Sequence, residues 1–195
     1  MPNDYDPSGF RLTPRQDLYR LTMPFLVHGQ TISSGSPIAL SRSGEVARPY
    51  LDGDVFSARV TLAPSTDDPF TGTRWVLQRN DDGTWGFLNQ GQPENMLVAS
   101  AGSVALGRPL AGAGMARFVT SRWLIYRDLK GFRLRPVMAV SGWLGVRYEK
   151  PILSEPGHQT GRWLYWDIYA AQDLGAKLRP SAAPKAGLGG FPFAR

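Results

Sequence analysis

At 195 residues and 42% hydrophobic, the chain is long enough to bury a full core as one domain, and none of its apolar runs reaches the length of a membrane-crossing helix. With no cysteine and only two well-separated histidines, His28 and His158, it lacks disulfides, thiolate chemistry and any recognisable metal-ligand spacing, so neither metal nor cofactor is expected. The formal charge of +6 rests on 18 arginines and four lysines that alternate with apolar residues instead of clustering, which reads as solvated strand faces and not as a nucleic-acid arm.

The start, Met1-Pro2-Asn3-Asp4-Tyr5-Asp6, is acidic and has neither the basic start nor the apolar run of a secretory leader. That favours a cytoplasmic protein, or one exported without a Sec leader. Residues 1–36 match nothing else in the chain. Leu18, Leu21 and Phe25 share a helical face only as far as Pro24, so a short helical turn or a strand is expected. The segment is too apolar for a free tail and is expected to pack over one end of the core.

From Pro37 the alternation of half-buried strands takes over, bounded by Gly, Pro, Asn, Asp and Ser. Three units can be superimposed, over residues 37–83, 84–131 and 132–171. Each opens with a strand, turns, and reaches an aromatic residue or Met followed by Leu: Tyr50-Leu51, Met96-Leu97 and Trp143-Leu144. A third strand follows, and an Arg-Trp strand closes the unit: Arg74-Trp75, Arg122-Trp123 and Arg162-Trp163. No unit could bury its Trp, Leu and Ile faces alone, so closure about a pseudo-threefold axis is expected. The three repeat tryptophans read as core or barrel-rim residues, because threefold repetition is what symmetric packing requires.

This order of elements resembles that of the β-trefoil superfamily, including its lectin-like and fascin-like members. The resemblance covers residues 37–171 and implies an all-β fold, a β-trefoil of three four-stranded pseudo-repeats, with an N-terminal extension and a Pro/Gly-rich C-terminal tail over 172–195. It carries a scaffold rather than one function, since trefoils serve as lectins, cytokines, actin bundlers, protease inhibitors and modules attached to toxins and glycosidases. The Gln-x-Trp of ricin-type lectins is missing, because Thr73, Ser121 and Gly161 stand where its Gln would be.

Function is read from the turns. A sugar site needs an aromatic face for the apolar side of a pyranose, with carboxylate, amide or guanidinium groups for its hydroxyls. The second unit offers Asn89, Gln90 and Asn95. The third, the shortest and richest in aromatics, offers Trp143, Arg147, Tyr148, Glu149 and His158. The same residue types also build ordinary hairpin turns. One dominant site in the third unit is expected, with a glycan or another small hydroxylated ligand as partner. Nothing resembles a nucleophile elbow or a phosphate loop, so a non-catalytic, lectin-like module is the leading reading. Two alternatives remain open. Trp143, Tyr148, Trp163, Tyr165, Trp166 and Tyr169 could line the pocket of a small-molecule enzyme, or the tail, with Leu188, Phe191 and Phe193, could dock on a protein partner.

Overall fold

The computed structural model describes residues 18–43, 47, 49–54, 56–67, 71–108, 119–138, 142–155 and 161–170. Apart from two single-turn 3-10 segments, the regular structure of these residues is all strand, and no helix among them is long and apolar enough to cross a membrane. The strands are β1 (Tyr19–Leu21), β2 (Phe25–Val27), β3 (Gln30–Ile32), β4 (Pro37–Arg42), β5 (Tyr50–Gly53), β6 (Val60–Ala63), β7 (Arg74–Arg79), β8 (Trp85–Asn89), β9 (Met96–Ser100), β10 (Ser103–Gly107), β11 (Val119–Thr120), β12 (Trp123–Asp128), β13 (Gly131–Pro136), β14 (Leu144–Arg147), β15 (Lys150–Leu153) and β16 (Trp166–Ala170).

Six of them close on themselves. β4 pairs with β7, β7 with β8, β8 with β12, β12 with β13, β13 with β16, and β16 again with β4, all antiparallel. Because side chains alternate across a strand, each of the six sends two residues inward: Ile38 and Leu40, Trp75 and Leu77, Trp85 and Phe87, Trp123 and Ile125, Phe132 and Leu134, Trp166 and Ile168. All twelve are buried, and each contributes roughly 1.5–3 kcal/mol of apolar burial, so closing the ring both forms the core and removes the exposed sheet edges.

Three hairpins, β5–β6, β9–β10 and β14–β15, cover this core, and each touches the other two. Every hairpin carries a cross-strand leucine pair: Leu51 opposite Leu62, Leu97 opposite Leu106, Leu144 opposite Leu153. The first leucine of each pair also accepts, through its backbone carbonyl, the indole N–H of a buried tryptophan. Trp75 donates to Leu51 at 3.0 Å, Trp123 to Leu97 at 2.9 Å and Trp166 to Leu144 at 3.0 Å. A buried indole N–H needs an acceptor, and the same solution is used three times.

The third of these tryptophans corrects the sequence alignment. Trp166, not Trp163, is the partner of Trp75 and Trp123, because Arg162–Leu164 turn in a 3-10 segment instead of extending. Gly161, at φ 127, enters that turn in a conformation costly for any residue with a Cβ. Trp163 is half-buried, with its ring laid on Gly145 and Gly161, where a Cβ at either position would collide with it.

The described part of the lead-in is strand, not helix. β1 runs beside β12, with Leu21 opposite Ile125, in the space that β8 leaves after its single pairing of Trp85 with Trp123. Trp85 donates its indole N–H to the Leu21 carbonyl at 2.6 Å. Phe25 then packs its ring 5.8 Å from those of Trp85 and Phe132, and Val27 and Ile32 of the β2–β3 hairpin are buried with it. Two arginines fasten this segment through its backbone: Arg79 Nε donates to the Thr22 carbonyl at 2.7 Å and Arg127 Nη1 to that of Leu26 at 3.0 Å. Part of the basic excess therefore holds chain segments together instead of merely solvating strand faces.

Candidate functional site

Of the residues singled out in the second unit, Asn89 and Asn95 are both held by Gln92. Asn89 is fully buried, its amide donating to the Gly72 carbonyl at 2.8 Å and its side-chain oxygen accepting from the Gln92 N–H at 3.0 Å. Asn95 donates to Gln92 Oε1 at 2.6 Å, while the Gln92 amide reaches across to the Asp54 carbonyl at 2.8 Å. Gln90 is exposed, with its backbone N–H donating to the Arg74 carbonyl at 2.8 Å. This constellation ties the β8–β9 turn to the first hairpin, and Asn89 presents no free polar group to a ligand.

The third-unit residues separate into two places. Trp143 lies at the base of the β14–β15 hairpin and is buried, locked there by Ser154, whose hydroxyl accepts the Trp143 backbone N–H at 2.8 Å. Arg147, Tyr148 and Glu149 lie at the other end of that hairpin, roughly 15 Å away along an extended strand. His158 is outside the described residues.

At the tip, Arg147 pairs with Lys150, leaving Tyr148 and Glu149 as a two-residue turn. Both have positive φ, 50 and 58 degrees. Two-residue hairpin turns need this handedness, and Asn-Gly normally supplies it; a tyrosine followed by a glutamate costs on the order of 1 kcal/mol or more. The corresponding tip of β9–β10 is Ala101-Gly102, with the glycine at φ 87. In the third hairpin the strained turn lifts a tyrosine ring into solvent, where it is 84% exposed with the Arg147 guanidinium 5.2 Å from its centre. Glu149 beside it is exposed too. An open aromatic face flanked by a cation and a carboxylate can stack on one side of a sugar ring and hydrogen-bond its hydroxyls.

A second cluster covers the outer face of the β12–β13 hairpin. Tyr126 and Arg133 are cross-strand neighbours there, and Trp143 and Tyr165 close over them. The Arg133 guanidinium lies 3.9 Å from the Trp143 ring centre and 5.5 Å from that of Tyr165, and the Tyr126 ring meets Trp143 edge-on at 5.3 Å. Tyr165 donates its hydroxyl to Asp128 at 2.9 Å. Burial, the bond to Asp128 and the Asp128 charge together push the Tyr165 phenol above its ordinary value. Arg133 is pulled down from the usual guanidinium value by burial, against the opposing pull of Tyr165 and Asp128. Sequence reasoning found Trp143 and, among the aromatics of a possible pocket, Tyr165, but missed Arg133 and Asp128, whose types carry no local signal.

No protein-family model matches the chain, and no curated protein sequence does. Solved structures do share its fold. One is an arabinofuranosidase complexed with arabinofuranosyl-alpha-1,2-xylobiose, at 14% identity and a TM-score of 0.57, the match covering 72% of this chain and 32% of that one. Another is Cry35Ab1, at 10% identity and a TM-score of 0.52, covering 72% and 37%. The chain thus spans about a third of each of these neighbours, and at such identities the likeness is one of fold.

Proposed function

We propose that the chain is a β-trefoil module that binds carbohydrate without cleaving it, and that its site is the tip of the third hairpin, Arg147, Tyr148 and Glu149. The trefoil reading is supported by the closed six-stranded ring, the three covering hairpins and the threefold Trp-to-Leu hydrogen bond. The carbohydrate reading is supported by the shared fold with an arabinofuranosidase solved with a sugar ligand. The single observation that carries the site is Tyr148, held 84% exposed on a turn whose backbone would be relieved by glycine. Exposed rings without such strain are common on protein surfaces, whereas a strained turn that displays one has a functional use to set against its cost.

Stacking of a pyranose on Tyr148 is worth about 0.5–1.5 kcal/mol beyond its buried area, so Tyr148→Ala is expected to weaken sugar binding roughly two- to tenfold. A broad glycan array read with wild type and with folded Tyr148→Ala and Glu149→Gln variants tests this. Signal that falls in both variants supports the reading. A silent array for the wild type, or equal signal in all three proteins, overturns it. Silence combined with capture of a defined protein partner would favour the interaction-module alternative.

A further inference from the structure

We propose that Arg133 is the anchor of a carboxylate-binding subsite on the outer face of the β12–β13 hairpin, separate from the glycan site at the hairpin tip and independent of that reading. Arg133 is 6% exposed, and two of its guanidinium nitrogens, Nε and Nη2, have no hydrogen-bond acceptor among the described residues. These two nitrogens are not an arbitrary pair. Their N–H bonds lie side by side on one edge of the guanidinium and point the same way, which is the fork that a carboxylate fills with two parallel hydrogen bonds.

The surroundings explain why the fork is left over. Asp128, the carboxylate nearby, is already committed: one oxygen accepts the Tyr165 hydroxyl at 2.9 Å and the other the Lys130 N–H at 2.7 Å. The guanidinium lies against two aromatic rings, its carbon 3.9 Å from the centre of Trp143 and 5.5 Å from that of Tyr165. A buried cation whose charge is met by ring faces while two donors stay unmet is costly in a folded chain, because buried donors are almost always paired. A ligand carboxylate would meet both donors and the charge in one step. Lys130, exposed, with its ammonium 6.0 Å from the Tyr165 ring, adds a second cation at the outer edge of the cluster. The fork atoms are enclosed, so the ligand must displace a covering side chain to reach them. The anion would thus be a small one, carried on an acidic sugar or on a simple organic acid.

The two sources are separated by titrating the full chain calorimetrically with glucuronate, acetate and glucose. Glucuronate is expected to bind and glucose to bind at least tenfold more weakly. Acetate binding alongside glucuronate identifies the carboxylate alone as the recognised group, while glucuronate alone adds the sugar ring; either supports the subsite. Arg133→Lys keeps the charge but loses the fork, and is expected to weaken glucuronate at least tenfold. Arg133→Met removes two unmet buried donors, so it should stay folded and bind no carboxylate. Tyr148→Ala should leave glucuronate binding unchanged, which keeps failure here distinct from failure at the hairpin tip. The proposal is overturned by a wild type that binds neither carboxylate, by glucose binding as tightly as glucuronate, by full affinity in Arg133→Lys or Arg133→Met, or by loss of glucuronate binding in Tyr148→Ala.

Discussion

Three indole N–H groups, each given to a leucine carbonyl, define the repeat at the level of single residues. Replacing such a tryptophan by phenylalanine removes volume and leaves a buried carbonyl unmet, so Trp75→Phe, Trp123→Phe and Trp166→Phe are each expected to cost about 2–4 kcal/mol by urea denaturation. Trp163→Phe, half-buried on two glycines, should cost about 1 kcal/mol or less. Equal losses at Trp163 and Trp166 would contradict the assignment of Trp166 as the third copy. The leucines were legible in the sequence because each follows an aromatic residue or Met at a steady interval. The third tryptophan was not, since Arg162-Trp163 copies the Arg-Trp pattern in letters while the backbone turns there and delivers the ring three residues later. Asp52 offers a test of another kind. Burial raises its pKa, against the bond from Thr61 and with help from Asp54. A carboxylate with a raised folded pKa adds stability below its unfolded value and loses it as pH rises through the folded value. Asp52→Asn should therefore melt higher than wild type at pH 7 and show no such advantage near pH 3.

At the level of elements, the hairpins differ in how their turns are made. Glu149→Gly is expected to raise stability by about 1 kcal/mol, because glycine takes a positive φ at no cost where glutamate does not. A loss of stability on that change would show that the Tyr148-Glu149 turn is not strained. The lead-in makes a second case. Arg79→Ala and Arg127→Ala each remove a bond to its backbone, so amide exchange in β1, β2 and β3 should quicken while the six ring strands keep their protection. Uniform loss of protection would mean that the lead-in is not a separate unit. Hairpins were readable because turns and alternation are local. These arginines were not, because their acceptors lie 57 and 101 residues away in sequence and a guanidinium fits solvent equally well on paper. Asn89 was misleading for the same reason: a turn asparagine looks free until Gly72 and Gln92 are found around it.

Considered whole, the molecule uses near-threefold packing for its core and asymmetric turns on its surface. The ring needs equivalent residues in all three units, whereas a tip needs only a backbone that closes, which is why Ala101-Gly102 and Tyr148-Glu149 can occupy like places. On the proposed reading the units share a scaffold and one of them carries the glycan site. The most direct measurement is a nuclear magnetic resonance titration of the labelled chain with the tightest sugar from the array. Shifts confined to Arg147, Tyr148, Glu149 and Lys150 are the result expected. Shifts centred on the other hairpin tips, at Ser57 or Gly102, or spread over the barrel without the third tip, would contradict the assignment of the site.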